Sequence, residues 1–313
     1  MNLDRETLIL LGGVLALLIV ASVIGAVLSA RVKSESSRRV VDNLNARTRA
    51  WWVMAVVFGG ALALGRTTVM IMFALMSFLA LREFITLTPT RRADHRALFW
   101  SFFIILPLHY FLLATAWHGR AALLFPVYAF LFIPIREALA GDSERFLERT
   151  ANIQWGLMVC VCFLSYAPAL LLLEIPGYAG GNAKLLFFLV LIAQLSDVLQ
   201  YVWGKLCGKH PVAPKLSPNK TIEGLVGGGL SAVAVGAALW WSTPFTPLQA
   251  AGLAAVIVVM GFFGGLVMSA IKRDRGVKDY GDIIPGHGGV LDRIDSLCFA
   301  APVFFHLVRW IWT

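Results

Sequence analysis

Long runs of apolar residues, separated by short polar loops, follow one another along almost the whole chain. A helix needs about 20 mostly apolar residues to cross the hydrocarbon core of a bilayer. Runs that approach or exceed this length lie at approximately 7–30, 50–65, 67–81, 97–117, 121–139, 154–173, 183–203, 222–242, 246–270 and 289–312. The second and third runs are short and could instead form one re-entrant hairpin. The pattern predicts an all-α polytopic integral membrane protein with about ten transmembrane helices, or nine if one N-terminal span is re-entrant or interfacial.

The composition agrees with this pattern. Of the 313 residues, 58% are hydrophobic and only 14% are charged, whereas a soluble domain carries about a quarter charged residues. Ten spans use nearly the whole length, which excludes a separate soluble catalytic domain. Any chemistry must therefore lie in the loops or at the ends of helices.

The distribution of basic residues indicates an orientation in the membrane. The net charge is +9, from 27 Lys and Arg against 18 Asp and Glu. Cytoplasmic loops collect basic residues, so this excess does not require a nucleic-acid partner, and we expect none. The loops after the odd-numbered spans hold 22 of the 27 basic residues. We therefore expect these loops in the cytoplasm and the chain in a bacterial-type cytoplasmic (inner) membrane. The first such loop, 31–49, is interpreted as a short interfacial segment or, alternatively, as a solvated linker.

Carboxylates inside apolar spans are rare here, and they mark candidate functional positions because burying them in a bilayer is costly. Asp197 lies in the seventh span, and Asp292 and Asp295 lie in the tenth. From the rise of about 1.5 Å per residue, Asp197 and Asp295 lie about 12 Å and 9 Å inward from the cytoplasmic end. Acids at one level repel one another, and Mg²⁺ would neutralise them. The alternative is a set of salt bridges to neighbouring basic residues: Arg293, Lys205 and Lys272.

The polar loop before the eighth span has features of a polyphosphate site. Lysines, hydroxyls and backbone N–H groups precede the start of a helix, where the dipole favours an anion. The polar residues of this segment are Ser217, Asn219, Lys220 and Thr221. Alternatively, the segment is an ordinary helix entry with Thr221 as the cap. The spacing of a Walker A loop is absent.

The richest polar stretch runs from 269 to 295. It combines basic residues, a Pro-Gly-His-Gly-Gly turn and acids that enter the last span. Together these groups offer phosphate clamps, backbone donors and metal ligands. A loop selected only for positive charge would need lysines and arginines alone.

This stretch resembles the signature of the phosphatidate cytidylyltransferase (CDP-diacylglycerol synthase) family. It contains S-x-x-K-R, K-D-x-G, P-x-H-G-G and D-R-x-D in that order. Asp197, Tyr201, Gly204 and the run 217–224 are similar to another region that the family shares. The resemblance covers the C-terminal third to two-fifths of the chain. It suggests N-terminal helices with basic loops over 1–153 and a catalytic transmembrane region over 154–313, in one integrated membrane domain.

The resemblance implies a reaction of CTP with phosphatidate at a bilayer, giving CDP-diacylglycerol and pyrophosphate. It implies one or two Mg²⁺ ions, and it leaves open whether a homodimer forms. The implied metal ligands are Asp197, Asp279, Asp292 and Asp295. The implied phosphate-neutralising residues are Lys272, Arg273, Lys278 and Arg293. The implied substrate-lining residues are Tyr201, Ser217, Asn219, Lys220, Thr221, His287, Gly288 and Gly289.

Two other functions compete with this interpretation. A CTP-dependent lipid kinase of the polyprenol type would transfer the γ-phosphate of CTP to an alcohol, and an alcohol acceptor would profit from a general base. A transporter would need polar groups spread along a path through the membrane, which most of the spans lack. The complete signature favours the cytidylyltransferase.

Overall fold

The computed structural model of the chain describes residues 5–32, 34–115, 123–283 and 288–313, and these residues are mostly helical. Each predicted apolar run corresponds to one helix. The helices are α1 (Arg5–Arg31), α2 (Glu35–Leu64), α3 (Arg66–Thr86), α4 (Arg92–Ala114), α5 (124–138), α6 (Phe146–Leu172), α7 (Asn182–Cys207), α8 (Ile222–Ala238), α9 (Pro247–Asp274) and α10 (Leu291–Trp312). The predicted all-α membrane fold is confirmed.

Within these described ranges, seven helices are long and apolar enough to cross a membrane, and α2, α5 and α8 are not among them. Their shortfall has a simple cause in each case. The first half of α2 is polar, α5 is described over only 15 residues, and α8 has 17. A short apolar helix can still be buried in a bundle when longer neighbours surround it.

The N-terminal region differs from the prediction in one respect. Residues 35–49 are not a solvated linker, because α2 begins at Glu35 and continues unbroken to Leu64. The second and third runs form two helices that meet at Gly65, and they do not merge. Gly65 has φ +107°, a conformation that residues with a Cβ rarely adopt.

The C-terminal helices pack tightly around the region of the signature. A Cβ on Gly224 would lie 2.7 Å from the carbonyl oxygen of Gln200, so α8 contacts the backbone of α7 directly. Helices α9 and α10 also contact each other and α7. From the N-terminal half, α3 reaches this group and contacts α10. Five helices therefore meet around the region of the signature.

A two-stranded antiparallel hairpin separates α7 from α8. Its strands are β1 (Pro211–Ala213) and β2 (Ser217–Thr221), and Pro211 pairs with Thr221. The Thr221 hydroxyl accepts a hydrogen bond from the N–H of Gly224 at 3.1 Å, so Thr221 caps α8. The predicted helix entry at Thr221 is thus correct. The strands before it were not predicted.

Candidate active site

A cavity of about 300 Å³ lies where β2, α7, α9 and the start of α10 meet. Most of the polar residues singled out in the sequence contribute to its wall. Those that line it are Asp197, Tyr201, Ser217, Asn219, Lys220, Thr221, Lys272, Asp279, Asp292, Arg293 and Asp295. Two polar stretches about 60 residues apart along the chain therefore form one site.

Some predicted residues lie beside the cavity and do not line it. The Arg273 guanidinium donates hydrogen bonds to the carbonyl oxygens of Leu216 and Val277, at 3.2 and 3.1 Å. Lys278 is exposed. Arg273 thus holds the hairpin and the following loop together. The glycines 288 and 289 form the turn before α10, and His287 lies outside the described residues.

Asp197 and Asp295 are joined through Ser296. The Ser296 hydroxyl donates to Asp197 Oδ2 at 2.8 Å, and the Ser296 N–H donates to Asp295 Oδ1 at 2.7 Å. The two carboxylates come from different helices, α7 and α10, and face the same cavity. Ser296 therefore fixes both acids with one neutral residue, and it leaves oxygen atoms of each available to a ligand.

Asp292 has a different environment. Its Oδ1 accepts from Lys272 Nζ at 2.7 Å, and its Oδ2 accepts from the N–H groups of Tyr280 at 2.7 Å and Gly289 at 3.0 Å. Both oxygens are thus used by protein donors. The salt bridge to Lys272, one of the two explanations given for this acid, is present. Asp292 ties α9, the following loop and α10 together.

Lys220 extends from β2 across α9. Its Nζ donates to the carbonyl oxygen of Phe262 at 3.3 Å and lies 5.0 Å from the centre of the Phe262 ring. A Cβ on Gly265 would lie 2.5 Å from this Nζ, so the glycine leaves the space that the lysine occupies. Burial lowers the pKa of Lys220, and the nearby Asp197 and Asp295 oppose this effect. The cavity thus holds a half-buried cation that is near two acids and packs against an aromatic ring.

Two further donors in the wall lack partners within the described part of the chain. They are Gln200 Nε2 and Arg293 Nε, and both are buried. Buried donors without acceptors cost free energy, and an anionic ligand would satisfy them. Gln200 was not singled out in the sequence, although it lies three residues after Asp197 and so on the same face of α7.

The sequence did not point to Glu83, a residue that lies far from the signature along the chain and contacts the start of α10. It lies on α3, and its carboxylate accepts hydrogen bonds from the N–H groups of Val290 and Leu291 at the start of α10, at 2.9 and 2.8 Å. The sequence offered one signal, an acid near the end of an apolar run. Nothing local connects it with a turn more than 200 residues later.

The carboxylates of the cavity fit Mg²⁺ on the condition that substrate phosphates supply further ligands. Among the residues that the structure describes, no three Asp, Glu, His or Cys side chains are grouped closely enough to hold a metal by themselves. Mg²⁺ is commonly held by one or two carboxylates together with substrate phosphates and water. Asp197 and Asp295, two carboxylates with hard oxygen ligands in one cavity, meet this description. The site therefore suits an ion that a polyphosphate helps to hold.

Comparison with known proteins identifies the family to which the chain belongs. Residues 45–311 match the sequence model of the cytidylyltransferase family. This match spans most of the chain, and the chain belongs to that family. The resemblance noted in the sequence is thereby confirmed, and it extends well into the N-terminal half.

Individual relatives show how far the similarity reaches. The chain is 40% identical over 299 residues to the uncharacterized protein YnbB of Escherichia coli K12, covering 94% of this chain and 96% of the relative. It is 29% identical over 268 residues to a phosphatidate cytidylyltransferase of Staphylococcus haemolyticus, covering 83% and 97%. A phosphatidate cytidylyltransferase of Mycobacterium leprae is 38% identical over 171 residues, covering 54% and 53%.

Proposed function

We propose that this protein transfers CMP from CTP to phosphatidate, producing CDP-diacylglycerol and pyrophosphate. The observation that carries the proposal is the single cavity in which Lys220, Arg293 and Gln200 face Asp197 and Asp295. Such a mixture suits a polyphosphate with a divalent cation better than it suits a neutral substrate. The two relatives named phosphatidate cytidylyltransferase support this choice of reaction.

The reaction requires little acid–base chemistry. An oxygen of the lipid phosphate attacks the α-phosphorus of CTP, a new P–O bond forms, and the bond from the α-phosphorus to the bridging oxygen breaks to release pyrophosphate. The lipid phosphate is already ionised at neutral pH, so no general base has to remove a proton. Catalysis then depends on positioning and on neutralising charge.

Each part of the site has a task in this reaction. Asp197 and Asp295 would hold Mg²⁺. Bound Mg²⁺ would neutralise phosphate charge and orient the triphosphate. Lys220 and Arg293 neutralise the remaining phosphate charge, and Gln200 donates a hydrogen bond to a phosphate oxygen. Asp292 acts on the protein itself, because it holds Lys272 and the loop in place.

The position of the cavity suits two substrates of different solubility. It lies at the ends of membrane-length helices α7, α9 and α10. A water-soluble triphosphate can enter from the aqueous side, while a lipid phosphate stays at the level of the headgroups. The distribution of basic residues supports a location in the cytoplasmic membrane with the site facing the cytoplasm.

The test uses purified protein in detergent with Mg²⁺, phosphatidate and CTP labelled at either the α- or the γ-phosphate. We expect the α-label in lipid, CDP-diacylglycerol by mass spectrometry, and loss of product when EDTA is added. Lipid carrying the γ-label would instead show a lipid kinase. Solute flux in liposomes without CTP, combined with no lipid product, would favour a transporter.

A further inference from the structure

The loop between α9 and α10, residues 275–290, is here called the signature loop. Contacts from the N-terminal half hold it at both ends. At its start, the Arg275 guanidinium donates to Asn152 Oδ1 at 3.2 Å and lies 3.7 Å from Glu148 Oε1. At its end, Val290 and the adjoining Leu291 donate to Glu83. The loop that brings Asp279 to the cavity is therefore tied to helices outside the C-terminal region.

The contact at Glu83 is the more specific of the two. Each carboxylate oxygen accepts one N–H group, and only 4% of the Glu83 surface is exposed. These N–H groups belong to the start of α10, where helix geometry leaves donors without partners inside the helix. A negative charge at this position also interacts favourably with the helix dipole. Glu83 thus acts as an N-terminal cap supplied by another helix.

Glycines in the signature loop make room for this carboxylate. A Cβ on Gly281 would lie 3.1 Å from Glu83 Oε1, which is tighter than ordinary contact, and a Cβ on Gly289 would overlap the same carboxylate. The neighbouring Phe84 ring stacks on Tyr280 with 6.4 Å between ring centres. The end of α3 and the signature loop therefore fit each other closely.

Two carboxylates hold three consecutive N–H groups of the turn. Asp292 accepts from Gly289, and Glu83 accepts from Val290 and Leu291. Arg293 and Asp295, which line the cavity, follow within one helical turn. A change in how α10 starts would displace both side chains, and displacements near 1 Å can reduce turnover by about 100-fold.

We propose that Glu83 is a positioning residue, which fixes the start of α10 and thereby places Arg293 and Asp295 for catalysis. The effect on turnover rests on the proposed function, whereas the effect on the loop does not. The carboxylate is required because both of its oxygens accept hydrogen bonds. A glutamine at this position has one acceptor only, so one of the two N–H groups would lose its partner.

The experiment compares Glu83→Gln and Glu83→Asp with Glu137→Gln in the full-length protein. Glu137 is a matched control, because it is also a buried acid of the N-terminal half, and its hydrogen bond goes to Thr150 on α6 and not to the start of α10. Hydrogen exchange of peptides covering 288–292, tryptic cleavage after the exposed Lys278, and the kcat and KM for CTP are measured for each variant.

In Glu83→Gln we expect faster exchange at 290 and 291, faster cleavage after Lys278, and a fall in kcat of about tenfold with little change in KM. Glu83→Asp keeps both acceptors and should recover part of the loss. Glu137→Gln should match the wild type in loop exchange and in kcat. A residue that only stabilised the fold would not change kcat in protein that remains folded.

Three results would overturn the proposal: unchanged exchange at 290 and 291 in Glu83→Gln, an equal increase in Glu137→Gln, or faster exchange without a fall in kcat. If the wild type itself forms no CDP-diacylglycerol, the proposed function fails. The exchange data then decide alone whether Glu83 holds the turn.

Discussion

Two groups of charged residues lie near the signature loop, and they are organised in opposite ways. The first, the N-terminal cluster, consists of Arg91, Asp94, Asp142 and Arg149. Arg149 is almost completely buried, and its guanidinium lies 3.3 Å from Asp94 Oδ1 and 2.9 Å from Asp142 Oδ2. Arg91 adds a second cation 3.1 Å from Asp142. Each charge in this cluster faces an opposite charge of the protein.

Apart from the Lys272–Asp292 pair, the charges that face one another across the cavity are not paired in this way. Asp197 and Asp295 are held by the neutral Ser296, and Lys220 donates to a backbone carbonyl. In the described part of the chain, Lys220, Arg293 and these two acids form no ion pair shorter than 4 Å, although they line one cavity.

The comparison shows which charges in a membrane protein indicate function. A buried ion pair whose partners satisfy each other offsets its own desolvation and stabilises one arrangement of the chain. Charges that surround a cavity and lack direct partners remain available to a ligand. By this criterion the N-terminal cluster is structural and the cavity is the candidate active site. The criterion separates the two groups more clearly than charge content does, since both are rich in acids and bases.

The largest effect is expected from Asp295→Asn. Loss of this carboxylate should lower the rate of CMP transfer by about 100-fold, because the acid faces the cavity directly. The protein should still purify as a folded species, since the N–H of Ser296 can donate to an amide oxygen.

Asp142→Asn is the matched control from the N-terminal cluster and should leave turnover close to the wild type. The rate of CMP transfer by both variants is measured with labelled CTP and phosphatidate. Equal losses in the two variants would remove the distinction between the clusters.

A smaller effect is expected from Gly265→Ala. The added Cβ would lie 2.5 Å from Lys220 Nζ and 3.7 Å from Asp295 Oδ2. The flexible end of the lysine can move aside, so we expect a fall in kcat/KM of about tenfold and little change in stability. The same substitution at Gly252 on α9 meets no atom within 4 Å and should have no effect on turnover. Wild-type activity in Gly265→Ala would argue against a role for the position of Lys220.

The smallest effect concerns stability at different pH values. The N–H of Glu144 and then the Arg149 guanidinium lower the pKa of Asp142. Its ionised form therefore stabilises the fold above the pKa of the unfolded chain, and this contribution disappears as the pH falls through the lowered pKa. The thermal midpoint of Asp142→Asn should lie a few degrees at most below that of the wild type near neutrality.

The difference between the thermal midpoints of the wild type and Asp142→Asn should shrink as the pH falls. Asp42→Asn, at an exposed position on α2, should match the wild type at each pH. A difference between the wild type and Asp142→Asn that grows as the pH falls would contradict the sign of this linkage.

Much of the fold could be predicted because the bilayer imposes a simple rule on apolar length. Each of the ten apolar runs became a helix, and Gly65 divides the second from the third. The rule fails where polar residues continue a helix beyond the apolar run, as in the first half of α2. It also fails for the hairpin of β1 and β2, because a strand of only three to five residues has no periodicity that distinguishes it from a loop.

The sequence by itself determined the membrane class, the family and most of the residues that line the cavity, since these depend on apolar length and on residue types at fixed local spacing. Only the tertiary structure decided how those residues are used. It joined Asp197 to Asp295 through Ser296, directed Asp292 to Lys272 and two backbone N–H groups, and brought Glu83 to the start of α10. The physical reason is that hydrogen bonds and charge interactions depend on distances of a few ångströms, and packing between remote helices sets those distances.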